Sequence, residues 1–206
     1  MFSLFISIPI TAQSKKESET LLDKTYETIR NLGKLILNFT YRWDYYPEEK
    51  TQSVKNGILY LSKEKYRLEV MDIIQICDGY KIYTISTKDK EITVSDTKSN
   101  ENLLYQIQIF SIYRKNFTPK KAELKKIGKK NIQFINLEPK EKNSGDLLSV
   151  GIDVSNYKLY QVIEKGRDIT TTITIRKQIP WTNAGGTTLL KFDQKNYPNY
   201  MITKLD

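Results

Sequence analysis

Hydrophobic and polar residues alternate over long stretches of this chain, most clearly between residues 35 and 45. Every second position there is apolar and most positions between them are polar; the apolar series is Leu35, Leu37, Phe39, Tyr41, Trp43 and Tyr45. A period of two places alternate side chains on opposite faces of a strand. The segment therefore predicts a long β-strand with one covered face.

The same alternation recurs along the rest of the chain in shorter segments, from residues 54–61 to residues 200–205. Turn residues separate these segments, and Asp78-Gly79 is typical of a tight hairpin. Because most segments follow one another through short connections, we predict about eleven strands, mostly antiparallel to their neighbours in sequence.

Two segments have helical spacing instead. Ser14 and Glu17 form a capping-box pattern ahead of one of them, and Gly33 suits its C-terminal end. The other lies at residues 103–115, between two groups of strands. A β-sandwich would need no helices, and a closed β-barrel would need no helix inserted between its strands, so the two helices argue against both folds.

This order predicts a mainly β (α+β) fold in a single domain over residues 13–206. The architecture expected is an unclosed, strongly curved antiparallel β-barrel of about eleven strands with a helical lid on the concave face. Such a sheet, capped by helices, forms a natural apolar pocket.

The composition excludes several kinds of active site. The 206-residue chain has no His, which excludes a Ser-His-Asp triad and imidazole metal ligands. It has one Cys, which excludes an intramolecular disulfide. Cys77 lies in an apolar run and is predicted to be a small buried hydrophobe. We therefore expect no enzymatic activity, no metal and no cofactor.

The chain is basic, with 33 Lys and Arg residues against 24 Asp and Glu residues and a formal net charge of +9. Only 6 of the basic residues are Arg, the residue on which nucleic-acid readers depend for bidentate contacts, so no nucleic-acid partner is expected. The densest run, at residues 120–130, predicts a solvated hairpin. A patch for an anionic membrane or an acidic partner is the alternative.

The first twelve residues differ from the rest of the chain. Their apolar run over residues 2–10 is too short to span a bilayer, and Thr11, Ala12 and a polar segment follow it. This order predicts a secretory signal peptide at residues 1–12 and a soluble exported protein. The basic residues that normally precede such a run are missing, which leaves the true start open. A first strand or a disordered tail is the alternative.

Short motifs follow one another in a fixed order over nearly all of the predicted mature chain. They are the first helix running into Leu35-x-x-x-Phe39, the segments at residues 57–61 and 65–67, Asp78-Gly79-Tyr80-Lys81-Ile82-Tyr83, the segments at residues 109–117 and 135–139, and Phe192-Asp193 through Tyr197-Pro198. In their order and spacing the chain resembles the LolA family of periplasmic outer-membrane lipoprotein carriers, particularly its Bacteroidetes-like form. No single motif is specific on its own.

The resemblance implies an unclosed β-barrel with a helical lid, a periplasmic location and no catalysis. Family members take the acyl chains of lipoproteins from an inner-membrane ABC transporter and deliver them to the outer membrane. The partners expected are therefore acylated lipoproteins and that transporter, with the outer-membrane acceptor unknown and the chain a monomer. The alternatives are another lipid or glycolipid binder, a lipoprotein-sensing protein on the same fold, and an interaction domain with a filled core.

The chain departs from the family pattern at two positions. Many members have an Arg-Pro pair after the second strand, where the Arg helps to hold the lid closed; here the turn is Ser62-Lys63-Glu64. Lys63 is thus the candidate lid contact, and an ammonium lacks the planar fork of a guanidinium, so a weaker latch is expected. The family's usual Asp in the last strand is replaced by Thr203.

The acyl chains are expected to lie against aromatic and branched side chains with few polar anchors. The candidate lining residues are Phe39, Tyr41, Trp43, Tyr66, Leu68 and Val70 from the strands and Leu104, Ile107 and Phe110 from the inserted helix. An ordinary filled core has the same sequence signature and remains the alternative for each of them.

Overall fold

A computed structural model describes residues 10–45, 51–63, 65–97, 113–141, 147–182 and 188–205, with side chains except at 10–13 and 51–53. Within these ranges helix α1 spans Ile10–Asn31 and is followed by twelve strands. The strands are β1 (Lys34–Tyr45), β2 (Thr51–Ser62), β3 (Lys65–Val70), β4 (Ile73–Cys77), β5 (Lys81–Ser86), β6 (Glu91–Asp96), β7 (Phe117–Ile127), β8 (Lys130–Pro139), β9 (Leu147–Asp153), β10 (Lys158–Lys165), β11 (Ile169–Pro180) and β12 (Met201–Lys204).

All twelve strands belong to one sheet, in the order β12-β6-β5-β4-β3-β2-β1-β11-β10-β9-β8-β7. The β1–β11 pairing joins two meanders, β1 to β6 and β7 to β11, which run outward from it in opposite directions. Every pair is antiparallel except β12 with β6, which is parallel. The predicted fold, an unclosed and curved antiparallel sheet with a helix on its concave face, is confirmed.

The main core lies on the concave face, because alternate side chains along each strand point to that face. Leu35, Leu37 and Phe39 are buried there in one cluster that also includes residues of β2 to β5 and of β8 to β11. Helix α1 joins this cluster through Leu22, which is fully buried, and contacts β7 and β10. Hydrophobic burial of this face is the main term that holds the helix against the sheet.

A smaller core covers the opposite, convex face of β4 to β6. Ile76, Ile85 and Ile92 are buried there beneath the C-terminal segment. In that segment the ring of Phe192 stacks on Tyr83 with centroids 4.2 Å apart, and it also stacks on Tyr197 at 5.8 Å. The segment then adds β12 to the edge of the sheet.

The predicted start of α1 at Ser14 is wrong, because the helix begins at Ile10. The hydroxyl of Ser18 donates to the carbonyl oxygen of Ser14 at 2.9 Å, so both serines lie inside the helix. A serine or threonine can bond back to the carbonyl one turn earlier and so tolerate an interior position. The predicted C-terminal end is confirmed, since Gly33 follows the helix with a φ of 64°.

The described residues contain twelve strands, in agreement with the predicted number of about eleven, and the last strand pairs in parallel. The sequence pattern predicts a strand from Ala122, but β7 begins five residues earlier, at Phe117. The extension includes Pro119, which donates no backbone hydrogen bond. However, β7 is an edge strand, where proline is tolerated.

Two sequence predictions fall partly or wholly outside the described residues. Of the predicted leader, only the part from Ile10 onward is described, as the first turn of α1. Of the predicted inserted helix, only its last residues are described, and residues 113–116 are helical. Across the described ranges, no helix is both long and apolar enough to cross a bilayer.

Candidate functional site

The four buried candidates from β1 and β3 lie close together on the concave face. Phe39, Tyr66, Leu68 and Val70 are each at most 4% exposed and belong to the main cluster. Strand β2 lies between β1 and β3, and Gly57 pairs with both Phe39 and Val70. The sheet register therefore brings these four side chains into one continuous apolar surface.

The ring of Phe39 extends across Gly57 of the neighbouring strand. A Cβ atom at Gly57 would lie 2.2 Å from Cζ of Phe39 and 2.5 Å from Cε2, which no real contact allows. The Phe39 ring can lie over β2 only because Gly57 has no side chain. Sequence reasoning noted Gly57 only as part of a motif and missed this contact.

Tyr41 and Trp43 continue the same row toward the open end of β1, where burial decreases. Both are partly buried, and their ring centroids are 5.5 Å apart at an angle of 52°. Tyr41 packs against the main cluster, while Tyr45 at the end of the row is 41% exposed. The concave face thus changes gradually from buried core to an aromatic rim. An apolar ligand on this rim would contact the aromatic rings, while the tyrosine hydroxyls could remain in contact with water.

Polar side chains border the apolar surface on the β4 side. The Tyr66 hydroxyl donates to Oε1 of Gln75 at 2.8 Å, and Nε2 of Gln75 donates to Oγ1 of Thr84 at 3.0 Å. Gln75 is only 2% exposed, so its amide cannot hydrogen-bond to solvent, and these bonds to Tyr66 and Thr84 satisfy it instead. The relay also fixes the orientation of the Tyr66 ring.

One polar group on this face has no partner among the described residues. Both amide atoms of Gln178 in β11 are buried and make no hydrogen bond there. Gln178 pairs directly with Leu37, which places its side chain on the concave face beside the apolar row. An unpaired buried amide costs about 1–3 kcal/mol, so a ligand or water that hydrogen-bonds to it would be stabilised at this point. The sequence did not indicate a role for Gln178, because it follows two other polar residues, Arg176 and Lys177.

The inserted segment is attached to α1 by its last residues. Leu104, Ile107 and Phe110 lie outside the described residues, but Tyr113 is 1% exposed within the main cluster. Its hydroxyl donates to Oδ1 of Asp23 at 2.7 Å, and the guanidinium of Arg114 pairs with the same carboxylate. Burial, together with the hydrogen bond to Asp23, raises the pKa of Tyr113 above its ordinary value.

The two departures from the family pattern lie on turns and edges. Lys63 is exposed in the β2–β3 turn with a φ of 54°. Thr203 lies in β12 and pairs with Thr93 of β6. The predicted weak latch at Lys63 stays a prediction, since its expected partner belongs to the lid.

No protein-family model and no curated protein sequence matches this chain. Solved structures do. Lipoprotein LppX from Mycobacterium tuberculosis is 11% identical with a TM-score of 0.51, over 82% of this chain and 99% of LppX. LprF from Mycobacterium bovis is 8% identical with a TM-score of 0.50, over 82% of this chain and 95% of LprF.

A LolA superfamily protein from Nitrosomonas europaea is also similar, at 9% identity over 88% of this chain and 97% of that protein, with a lower TM-score of 0.41. Identities this low carry information about the fold and not about ligands or partners. The chain shares its fold with LppX and LprF.

Proposed function

We propose that this protein is a periplasmic carrier that binds the acyl chains of lipoproteins against its concave face and ferries them from the inner to the outer membrane. The observation that carries the proposal is the continuous apolar surface of β1 to β3, which passes from the buried Phe39 and Leu68 to the partly buried rim of Tyr41 and Trp43. The function proposed is binding without catalysis.

The energetics of acyl chains explain why such a surface is needed. Each buried methylene is worth about 0.8 kcal/mol, so a chain of about 14 methylenes would cost on the order of 11 kcal/mol in water. Transfer between membranes requires an apolar enclosure for that chain. Release requires few specific anchors, which agrees with a lining of aromatic and branched side chains.

The amide of Gln178, which has no hydrogen-bond partner among the described residues, supports the presence of a ligand on this face. Acyl chains are joined to lipoproteins through ester and amide groups. The carbonyl oxygens of these groups could accept a hydrogen bond from the Gln178 amide, and an amide N–H could donate one to it. In our proposal such a group lies near Gln178, beside Leu37.

The proposed partners follow from the carrier role. An inner-membrane ABC transporter would supply the acylated lipoproteins, and the acceptor at the outer membrane is not identified. A protein that binds another lipid or a glycolipid would use the same surface. Only the identity of the bound molecule distinguishes that function from a lipoprotein carrier. Mass spectrometry of lipids and proteins that co-purify from the native periplasm identifies that cargo.

A filled core is the competing interpretation, and a specific observation favours it. Phe39, Tyr66, Leu68 and Val70 are as buried as any core residues. If they have no ligand to contact, the concave face is structural and the protein acts through its outer surface. The two interpretations differ in whether an acyl chain can approach the rim.

Trp43 allows a direct test, because the chain has only 2 Trp residues. Trp181→Phe leaves Trp43, on the concave rim, as the single tryptophan, whose emission is excited separately from that of the tyrosines. A brominated fatty acid quenches tryptophan only on contact, so we expect saturable quenching of Trp43 emission.

The matched control is Trp43→Phe, which keeps only Trp181. The Trp181 ring packs on Tyr60 with centroids 5.6 Å apart, and Tyr60 points to the face opposite Leu59. Its emission should be unaffected by the brominated chain. An unquenched Trp43 would support the filled core, and equal quenching of both would indicate non-specific association.

A further inference from the structure

A groove lies at the other end of the sheet from the surface of β1 to β3, between α1 and the edge strands. It has a volume of about 490 Å³ and is bounded by α1, β7, β8 and the turn between β9 and β10. This volume is within the range of about 300–1,000 Å³ that is usual for small-ligand sites. Of the predicted acyl-lining residues that the structure describes, those on β1 and β3, none borders it.

The inner wall of this groove is apolar. Leu21 of α1 and Ile135 of β8 line it, and Ile135 is fully buried. Val154, at the start of the β9–β10 turn, lines the outer part and is 37% exposed. An alkyl chain placed here would exchange water for apolar contacts along its length.

A buried amide fixes the sheet side of the groove. Gln133 is 6% exposed and lines the cavity. Its Nε2 donates to the carbonyl oxygens of Ala122 and Phe134, each at 2.9 Å. The bond to Ala122 joins β8 to the irregular part of β7 and the bond to Phe134 fixes the side chain on its own strand, so the wall is preformed.

The charged side chains around the groove are mainly cationic. Lys16, Lys24 and Lys121 line it together with a single carboxylate, that of Glu17. Lys121 pairs with Glu17 at 2.8 Å. Lys24 instead contacts a neutral group: its Nζ lies 3.2 Å from the Tyr157 hydroxyl and 4.7 Å from the centre of that ring. The Lys24 ammonium is therefore placed where an anion at the mouth of the groove could accept a hydrogen bond from it.

The turn that presents Tyr157 is held in an uncommon backbone conformation. Tyr157 has a φ of 57°, in the left-handed region that bulky residues rarely occupy. Asp153 organises the turn: its carboxylate accepts bonds from the backbone N–H of Ser155 at 3.0 Å and from the Ser155 hydroxyl at 2.6 Å. The backbone N–H of Tyr157 also donates to the Asp153 carbonyl oxygen at 2.8 Å. These bonds aim the phenol at Lys24, so that two hydrogen-bond donors converge at the mouth of the groove.

We propose that this groove is a second ligand site, which takes a single-chain amphiphile with a carboxylate headgroup. Lys24 and the Tyr157 hydroxyl each donate to the carboxylate, and the alkyl chain lies against Leu21, Ile135 and Val154. Charge complementarity selects this occupant, since a cation or a neutral alkane would leave the Lys24 ammonium without an anion. The site goes beyond the proposed carrier function and does not depend on it.

Calorimetric titration of the full chain with dodecanoate tests the site. Lys24→Gln should weaken binding about tenfold, because a charge-assisted hydrogen bond is lost. Tyr157→Phe removes only the hydroxyl and should weaken binding about threefold to tenfold. Val154→Asp, at a residue already at the surface, should abolish binding. Dodecanol, which has the same chain without charge, should bind parent and Lys24→Gln alike.

Lys129→Gln is the matched control, since it makes the same change of charge at an exposed lysine outside the groove. It should leave the affinity for dodecanoate unchanged. The proposal is overturned if the parent does not bind dodecanoate, or if Lys24→Gln and Val154→Asp bind it as the parent does. Quenching of Trp43 by a brominated chain is read separately, so the failure of either site is distinguishable from the failure of the other.

Discussion

At the scale of single residues, the contact between Phe39 and Gly57 shows how the concave face is shaped. Alternation along β1 is enough to predict that Phe39 points inward. It does not predict that the ring lies across the neighbouring strand, where it occupies the space that a side chain at position 57 would take. That arrangement depends on the register of β1 against β2, which pairs these two residues.

Gly57→Ala should destabilise the protein by about 1–3 kcal/mol, because the added Cβ displaces the Phe39 ring within a packed core. The free energy of unfolding, measured by urea titration, gives this difference. Since the clash involves only atoms at the tip of the ring, Phe39→Leu removes it.

The Phe39→Leu background therefore serves as the control for this substitution. Introduced there, Gly57→Ala should cost less than about 1 kcal/mol, and the difference is the coupling energy of the pair. An equal cost in both backgrounds would show that Gly57 is required for its backbone rather than for the ring.

At the scale of elements, the end of the inserted segment is tied to α1. Tyr113 and Arg114 both contact Asp23, which lies in the middle of the helix. The sequence predicts both helices but gives no sign that one carboxylate connects them, because the residues are 90 positions apart. These contacts hold the described end of the inserted segment, from Tyr113 onward, against α1.

The Tyr113 tether makes stability depend on pH in the alkaline range. The pKa of Tyr113 is raised in the folded state, chiefly by burial, so the unfolded chain loses this proton first as pH rises. The stabilisation is therefore complete below the ordinary tyrosine pKa of about 10 and is lost above it. Tyr113→Phe should flatten that part of the decline in unfolding free energy that begins at about pH 10 and continues above it.

Urea unfolding of both proteins at several pH values measures this effect. At neutral pH the variant should lose about 1 kcal/mol through its missing hydrogen bond to a carboxylate that is partly exposed. Parallel pH profiles for parent and variant would show that Tyr113 does not contribute to the alkaline decline.

Strand β12 is a second connecting element, at the opposite edge of the sheet. Its backbone pairs with β6, and Ile202 packs against the convex-face core. An uncovered edge strand offers unpaired N–H and C=O groups to other chains. The C-terminal segment thus covers both a face and an edge of the same three-stranded region.

Deletion of residues 201–206 should lower the thermal midpoint by about 5 °C or more and promote self-association through β6. Calorimetry and size-exclusion chromatography measure the two effects. Met201→Ala is the control, because this side chain is 59% exposed and the backbone pairing stays in place. A truncated protein that remains monomeric with an unchanged midpoint would argue against an edge-covering role.

At the scale of the whole molecule, one twelve-stranded sheet is covered on both faces by different parts of the chain. Helix α1 lies on the concave face toward β7, and the C-terminal segment lies on the convex face of β4 to β6. The proposed acyl surface and the proposed carboxylate groove occupy different strands of this sheet. Their ligands can therefore be tested with separate probes.

The carrier role also predicts export of the protein. If the apolar run at residues 2–10 is a signal peptide, protein isolated from the native periplasm should begin at Gln13 or Ser14. N-terminal sequencing of that protein measures the site of cleavage. An intact N-terminus on protein found in the cytosol would contradict the carrier function, because lipoproteins are transferred outside the inner membrane.

The sequence by itself determined the period-two strands, the position of the hairpin at Asp78-Gly79 and the burial of Cys77, since these depend on local alternation and turn chemistry. It also placed Phe39, Tyr66, Leu68 and Val70 on apolar faces. Only the tertiary structure decided which strands are neighbours, because pairing depends on contacts between residues far apart in sequence. That pairing lays Phe39 over Gly57 and puts Gln178 beside Leu37, while the packing of α1 and the β9–β10 turn brings Tyr157 to Lys24. The groove between α1 and β7 is formed by such distant surfaces, so no local pattern in the chain indicated it.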